Sequence, residues 1–270
     1  MFAIVLLAGC QKDTSVDVLE MTTMTYSVKA PAQIITRAAG EGDEINVLWY
    51  GVYHRESDGK FIYMPDMSAF VTVNPQEDIK VPITLIKNQV YHLVFVAQHR
   101  SVSESGEYVY TYEINNENWE MRLNPEVPLT HGEHLDAFVF VDKNIGPITG
   151  NENRSIVLQR PFTQVNIGTS APELPSSFDL ELTGVPSSYN LLTGEISQQT
   201  RSLELSGITP LGGTITAGAN TYSHMATYYI FGGASIGCTI EYETASGTVT
   251  KTISGISTAP NYKTNIVGNI

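Results

Sequence analysis

FDLELTG, residues 178–184, sets Phe178, Leu180 and Leu182 on one side of an extended chain and Asp179, Glu181 and Thr183 on the other. Successive side chains of a strand point to opposite faces, so a period of two is what a sheet with one covered and one wet face requires. The alternation recurs through the 270 residues, and no stretch keeps apolar residues at i, i+3, i+4 and i+7 over several turns. The chain therefore reads as all-β, with few and short helices. Working outward, VYHLVFVAQ from Val90 and LDAFVFVD from Leu135 are apolar on both faces. Both predict central strands covered on each side. Ser57-Asp58-Gly59-Lys60 and Ala245-Ser246-Gly247-Thr248 punctuate this pattern as hairpin turns, with glycine supplying the positive φ that tight turns demand.

Strands of about five to eight residues between turn signals predict β-sandwiches, and the length allows two. In SIVLQRPFTQVNIGT, Arg160-Pro161 interrupts an otherwise continuous strand pattern, because proline removes a ladder donor. This places a boundary near Arg154 to Pro161 and gives sandwiches over residues 38–157 and 158–270. Ahead of them lie an N-terminal segment, residues 1–9, and a polar tether, residues 10–37, that carries TMTYSV. There Met24, Tyr26 and Val28 alternate with Thr23, Thr25 and Ser27, so the piece can form a strand.

Acids outnumber Lys plus Arg by 28 to 15, and the net charge of −13 repels phosphate backbones and anionic membrane surfaces. Nucleic acid is excluded as an expected partner. The only cysteines are Cys10 and Cys238. Cys238 falls on the apolar side of an alternating strand and reads as a small core residue.

Catalytic signals are sparse, and no cofactor is expected. No Gly-x-Ser-x-Gly elbow, P-loop or dinucleotide fingerprint occurs. His131, Glu133 and His134, with Asp136 nearby, resemble a metal site only loosely: two histidines three apart in a glycine-containing loop do not match the i, i+4 spacing of helical zinc sites. A solvated loop is the better reading, and a hydrolase rests on that cluster alone. Carboxylate neighbours such as Glu41 with Asp43 and Glu77 with Asp78 lie in turn-rich segments and read as solvated charge. Trp49, inside an apolar strand, reads as core, while Trp119 in NNENWEMRL is a candidate for a sugar-stacking platform.

The N-terminal run Phe2 to Ala8 is too short to span a bilayer but has the form of the apolar region of a secretory signal. Leu7-Ala8-Gly9-Cys10 reads as a lipobox, with Cys10 as the residue that takes diacylglycerol. No Lys or Arg precedes Cys10, so the basic region is missing; a start lying upstream accounts for this better than a buried N-terminal strand. Further on, Ile35-Thr36-Arg37-Ala38-Ala39-Gly40 places small residues after an arginine, an accessible target for an Arg-specific protease.

Taken in order, LAGCQKD, ITRAAGEGDEINVLWYGVY, NQVYHLVFVAQ, LDAFVFV, LQRPFTQVNIGTS and NYKTNIVGNI resemble the fimbrillin family of type V pili over nearly the whole chain. The resemblance implies two tandem transthyretin-like, Greek-key β-sandwich domains and a lipoprotein precursor carried to the outer membrane. An Arg-specific protease then removes the N-terminal strand, and a strand from another pilus subunit fills the vacated groove. Carried onto this sequence, Cys10 is the lipidation site, Arg37 with Ala38 the scissile pair, and Met24, Tyr26 and Val28 the contacts of the removable strand. Family members commonly continue past NYKTNIVGN into a donor strand, whereas this chain stops at Ile270. Three expectations follow from that: sequence missing at the ends; a short donor with Thr264, Ile266 and Ile270 as contacts, weakened by Gly268; or a tip or anchor subunit that accepts a strand and donates none. The alternative function is a surface lipoprotein that binds glycan or a host ligand.

Overall fold

The computed structural model describes residues 19–29, 44–74, 77, 79–127 and 132–269. Cys10, Arg37, Ala38, His131 and Ile270 lie outside them. In chain order the first strands are β1 Met21–Lys29, β2 Val47–Arg55, β3 Phe61–Tyr63, β4 Ala69–Thr72, β5 Ile79–Ile86, β6 Tyr91–Gln98, β7 Arg100–Val102, β8 Tyr108–Tyr110, β9 Tyr112–Asn115, β10 Glu120–Leu123, β11 Ala137–Ile145 and β12 Glu152–Val157. They are followed by β13 Phe162–Thr169, β14 Phe178–Pro186, β15 Tyr189–Asn190, β16 Thr200–Ile208, β17 Thr214–Ala217, β18 Asn220–Phe231, β19 Ser235–Thr244, β20 Gly247–Ser257 and β21 Lys263–Gly268. The helical content of the described residues is two single 3₁₀ turns, Pro65–Met67 and Glu133–Leu135.

Four sheets pack in facing pairs. In the first pair, β12-β1-β5 covers β11-β6-β2-β3, with β4 also paired to β2. Met24, Tyr26, Ile83, Leu48, Phe95 and Phe138 interdigitate between them. In the second pair, β17-β18-β13-β21 covers β16-β14-β19-β20, around Val165, Ile167, Leu180, Leu182, Tyr228 and Cys238. The alternation of FDLELTG is realised in β14, where Phe178, Leu180 and Leu182 are buried and Asp179 is exposed. Both glycine turns are present as well: Gly59 has φ +88 between β2 and β3, and Gly247 has φ +120 where Thr244 pairs with it across the β19–β20 turn.

β6 is buried at every position, as its unbroken apolar run requires. Leu93, Phe95 and Ala97 enter the first core, whereas Val94 and Val96 face the other way. They join Trp49, Tyr53, Tyr112 and Met121 in a layer continuous with the core of the second sheet pair. β11 departs from expectation: it ends its sheet instead of lying at the centre, and burial is confined to Ala137, Phe138 and Val139 at its start and Ile145 at its end. The apolar run of LDAFVFVD is explained by a core on each face, Phe138 entering the first and Ala137 and Val139 the layer on the other side, while Gln159 adds one bridge to Val139 at the open edge. Gly51 is required by packing, since a Cβ there would collide with the indole of Trp49.

His92 shows what the double cover of β6 costs. It is 5% exposed, its Nδ1 accepts the Asn144 amide at 2.8 Å, and Phe61 stacks on the ring at 3.5 Å. Burial, opposed by the Tyr91 backbone and by Asp142 and reinforced by Lys143 and Arg55, pushes its pKa below the ordinary 6.5. The unfolded chain thus takes up a proton near 6.5 that the folded chain still refuses, so stability present above that pH is lost as pH falls through 6.5 toward the folded value. Thermal unfolding between pH 7.5 and 5.5 should show a fall in Tm that is shallower in His92→Gln; parallel curves would rule this histidine out as the source.

The passage between the sheet pairs, residues 158–161, is anchored at both ends. Leu158 N donates to Lys29 O at 2.9 Å, and Arg160 is held by Asp136. Strand pairing also crosses between the halves, because β15 pairs with β10 through Glu120↔Asn190 and Met121↔Tyr189.

Candidate functional site

β1 forms where Thr22, Thr23, Thr25 and Ser27 alternate with Met24, Tyr26 and Val28, a run rich in β-branched and aromatic residues with no proline. Its burial alternates with the sequence, and Met24, Tyr26 and Val28 are each 0% exposed. The strand has two partners. It pairs with β12 from Met24↔Glu152 to Lys29↔Val157 and with β5 from Met21↔Ile86 to Val28↔Ile79. It is therefore the middle strand of its sheet, and without it β12 and β5 would lose their shared neighbour. Pro82 in β5 lies opposite Thr25, and proline is tolerated there because β5 is an edge.

Side chains reinforce the ladder. Asn151 Oδ1 accepts from Thr22 Oγ1 at 2.9 Å and from the Thr23 amide at 3.0 Å. Lys87 Nζ reaches Glu20 at 2.9 Å on the exposed rim. In the core, Tyr26 packs on Phe95 with ring centroids 4.8 Å apart, and its hydroxyl donates to Asp142 Oδ2 at 2.8 Å. Arg154 Nη1 donates to the same oxygen at 3.0 Å. Burial, and next the Asp142 carboxylate, hold the Tyr26 phenol well above its ordinary value, so it remains a donor. This latch ties β1 to β11 in the facing sheet and to β12 beside it, and nothing in the local sequence announces it.

Burying three apolar side chains at roughly 1.5–3 kcal/mol each contributes on the order of 5–9 kcal/mol, from which the ordering of the strand must be subtracted. That is a hold of ordinary binding strength. The connection from Lys29 to Val47 contains the Arg37–Ala38 pair, and while it is intact the strand also has the effective concentration of a tethered ligand.

The C-terminal strand sits in its own sheet. β21 pairs with β13 from Gln164↔Lys263 to Thr169↔Gly268, placing Ile266 at 4% exposure in the second core. Asn166 Nδ2 donates to Asn265 Oδ1 at 2.9 Å, and Thr163 Oγ1 is 3.3 Å from Thr264 Oγ1. The two most distinctive stretches, RPFTQVNIGT and NYKTNIVGNI, are thus adjacent strands joined by an amide and hydroxyl ladder.

Other residues singled out in the sequence have structural roles. Cys238 is 1% exposed, and burial pushes its thiol up to about 12, so it is packing and not a nucleophile. Trp49 is core at 4% exposure. Trp119 is not a free platform: Tyr53 stacks on it at 3.7 Å, and His92 meets it edge-on at 5.7 Å. Its carbonyl accepts the Leu191 amide at 2.7 Å, so the residue belongs to the seam between the halves. Asp136 is fully buried and grips Arg160, with Arg160 Nη2 to Oδ2 at 2.7 Å and Nε to Oδ1 at 2.8 Å. His134 instead lies edge-on to His99 at 6.1 Å.

Residues 13–270 match a family of unknown function (DUF6562). No curated protein matches the sequence. Among solved structures, the chain is similar to a candidate polysaccharide-binding protein (DUF1812) from Bacteroides thetaiotaomicron, with TM-score 0.53 and 11% identity over 91% of this chain and 90% of that one. It is also similar to a candidate adhesin from Bacteroides ovatus, at 0.52 and 10% over 93% and 88%. A candidate adhesin from Bacteroides thetaiotaomicron gives 0.51 and 12% over 89% and 82%. At such identities the likeness is one of fold: the all-β arrangement of those structures extends over most of the chain.

Proposed function

The chain belongs to DUF6562, a family of unknown function, and from the setting of β1 we propose that it is a component of a cell-surface fibre whose first strand is a replaceable plug. In this reading residues 38–157 form the sandwich that carries the slot, and residues 158–270 form a second one. Cys10 anchors the precursor in outer-membrane lipid, an Arg-specific protease cuts between Arg37 and Ala38, and a strand from another subunit takes the place of β1. The reading contains no catalytic step for this protein and needs no cofactor.

The observation that carries it is that β1, joined to the other strands of its sheet through residues 30–46, holds the central position, with Met24, Tyr26 and Val28 fully buried. An unoccupied slot of this kind would present both apolar pockets and unpaired backbone groups, the conditions for β-augmentation. Proteolysis changes none of the contacts; it removes the tether and exposes β1 to competition. The adhesin and polysaccharide-binding descriptions of structures with this fold agree with a role at the cell surface. Because β21 completes its own sheet, the role proposed for the described chain is that of strand acceptor.

Treating the purified full-length chain with an Arg-specific protease should yield a folded body beginning at Ala38, and the same terminus should be found on the surface form. The cut protein should exchange β1 for an added peptide spanning Met21 to Lys29 that bears a fluorophore, whereas the uncut protein should not. A surface form that begins at Cys10, or a cut protein that never takes up the peptide, would overturn the reading.

A further inference from the structure

A second concavity lies on the opposite face of the sheet that holds β2. It encloses about 590 Å³ between β2, β3 and β4 on one side and the β8, β9 and β10 strands on the other. We propose that this cleft binds a short stretch of neutral glycan, with sugar rings against Phe70, Tyr108 and Tyr110 and their hydroxyls taken by Gln98 and the neighbouring asparagines.

The rings come first. Phe70 and Tyr108 are 46% and 57% exposed, a large apolar area to leave in water, and both line the cleft. Their orientation is fixed from outside: Tyr110 stacks on Phe70 at 4.4 Å, and the Arg100 guanidinium sits 4.0 Å over the Tyr108 ring. A ring held on one side offers a ready-made platform for the C–H face of a sugar, with little entropy left to lose on binding.

The polar groups fit the same ligand. Gln98 is 1% exposed, and its Oε1 accepts the Tyr112 amide at 2.6 Å. That bond fixes which end of the amide is oxygen, and its Nε2, at the cleft lining, has no partner among the described residues. A donor open to the cleft and already held in orientation by the bond at the other end of its amide is placed to meet a sugar hydroxyl. Asn116 behaves in parallel, since its Oδ1 takes the Tyr53 hydroxyl at 2.9 Å while its amide nitrogen stays available.

Charge selects among glycans. Arg122 is spent on Glu113 at 2.9 Å, Arg100 lies over the Tyr108 ring and is offset by the further acid Glu126, and the whole chain carries −13. An anionic sugar would enter against that field; a neutral one would not. Size separates a glycan from a protein partner. The volume falls in the ~300–1,000 Å³ range of small-ligand sites, whereas a protein interface needs about 800 Å² on each side and has no use for a single deep cleft.

The test uses the uncut full-length chain, so its outcome is independent of the fate of β1. An array of neutral and sialylated or uronic-acid oligosaccharides, followed by calorimetric titration of the neutral oligosaccharide with the strongest signal, should show binding confined to the neutral class. Phe70→Ala with Tyr108→Ala should weaken that binding about tenfold or more in a chain that still unfolds cooperatively, because neither side chain belongs to either core. Tyr262→Ala, which removes a ring 51% exposed elsewhere, should leave it unchanged. Failure to bind any neutral oligosaccharide, preference for anionic ones, or a double variant that binds like the parent would each overturn the proposal.

Discussion

Truncating Tyr26 to alanine is expected to destabilise the folded chain by about 3–5 kcal/mol, the range for removing a large aromatic side chain from a closed core. The ring is 0% exposed, packs on Phe95 and sits in the middle strand of its sheet, so neither solvent nor a neighbour can readily fill the space it leaves. Tyr26→Phe separates the two parts of this loss. Keeping the ring and deleting the hydroxyl should cost only about 1 kcal/mol, because Asp142 retains Arg154. On the opposite face, Ser27→Ala should fall within about 0.5 kcal/mol. Chemical denaturation of the four proteins reads these differences directly. If Tyr26→Ala lost less than about 1 kcal/mol, β1 would be a decoration on the sandwich and not part of its core. The same variant bears on strand replacement, since weakening the plug should let the uncut chain admit a labelled copy of residues 21–29 that the parent excludes.

The other large effect is expected at the seam between the halves. Asp136→Ala should cost about 3–5 kcal/mol, most of it from stranding the Arg160 guanidinium, which is 5% exposed and lies 4.6 Å over the Phe138 ring. Arg160 Nη1 also reaches Asn261 Oδ1 at 3.4 Å, so the arginine gathers three segments: the turn before β11, the passage before β13 and the turn before β21. Pairing Asp136→Leu with Arg160→Met should recover most of the loss, because buried ion pairs often stabilise no better than apolar residues of similar volume. A single variant and a double variant equally destabilised would show instead that the ion pair itself holds the seam.

What could be read in advance depended on how far a signal reaches along the chain. FDLELTG and TMTYSV declare strands because alternation is complete within a few residues, and β6 announces its two covered faces through an unbroken apolar run. LDAFVFVD misleads for the same reason: cover on both faces does not tell whether a strand lies on each side within the sheet, and β11 is covered on both faces at the end of its sheet. Arg160 marked a break in the strand pattern, yet no local feature pointed to its partner 24 residues earlier. Trp119 was legible as an aromatic in a polar setting, but its stacking on Tyr53 depends on the β9–β10 pair folding back over β2. The aromatic cleft was invisible for a related reason, since Phe70 and Tyr108 reach the end of β6 at Gln98 only through the short strands β4 and β8, which carry almost no periodicity.

Because β12 runs alongside β1 in the same sense while β5 runs in the opposite one, the vacancy left by β1 has a polarity. Only one orientation of a substitute satisfies both ladders, and a reversed segment would mismatch each of them. In the proposed reading, one molecule gives a strand of that one orientation and the next receives it, and a contact in which no strand is returned is heterologous. Under that reading, repetition of the contact without ring closure would build a filament whose two ends are chemically different, one with an empty slot and one with an unused strand.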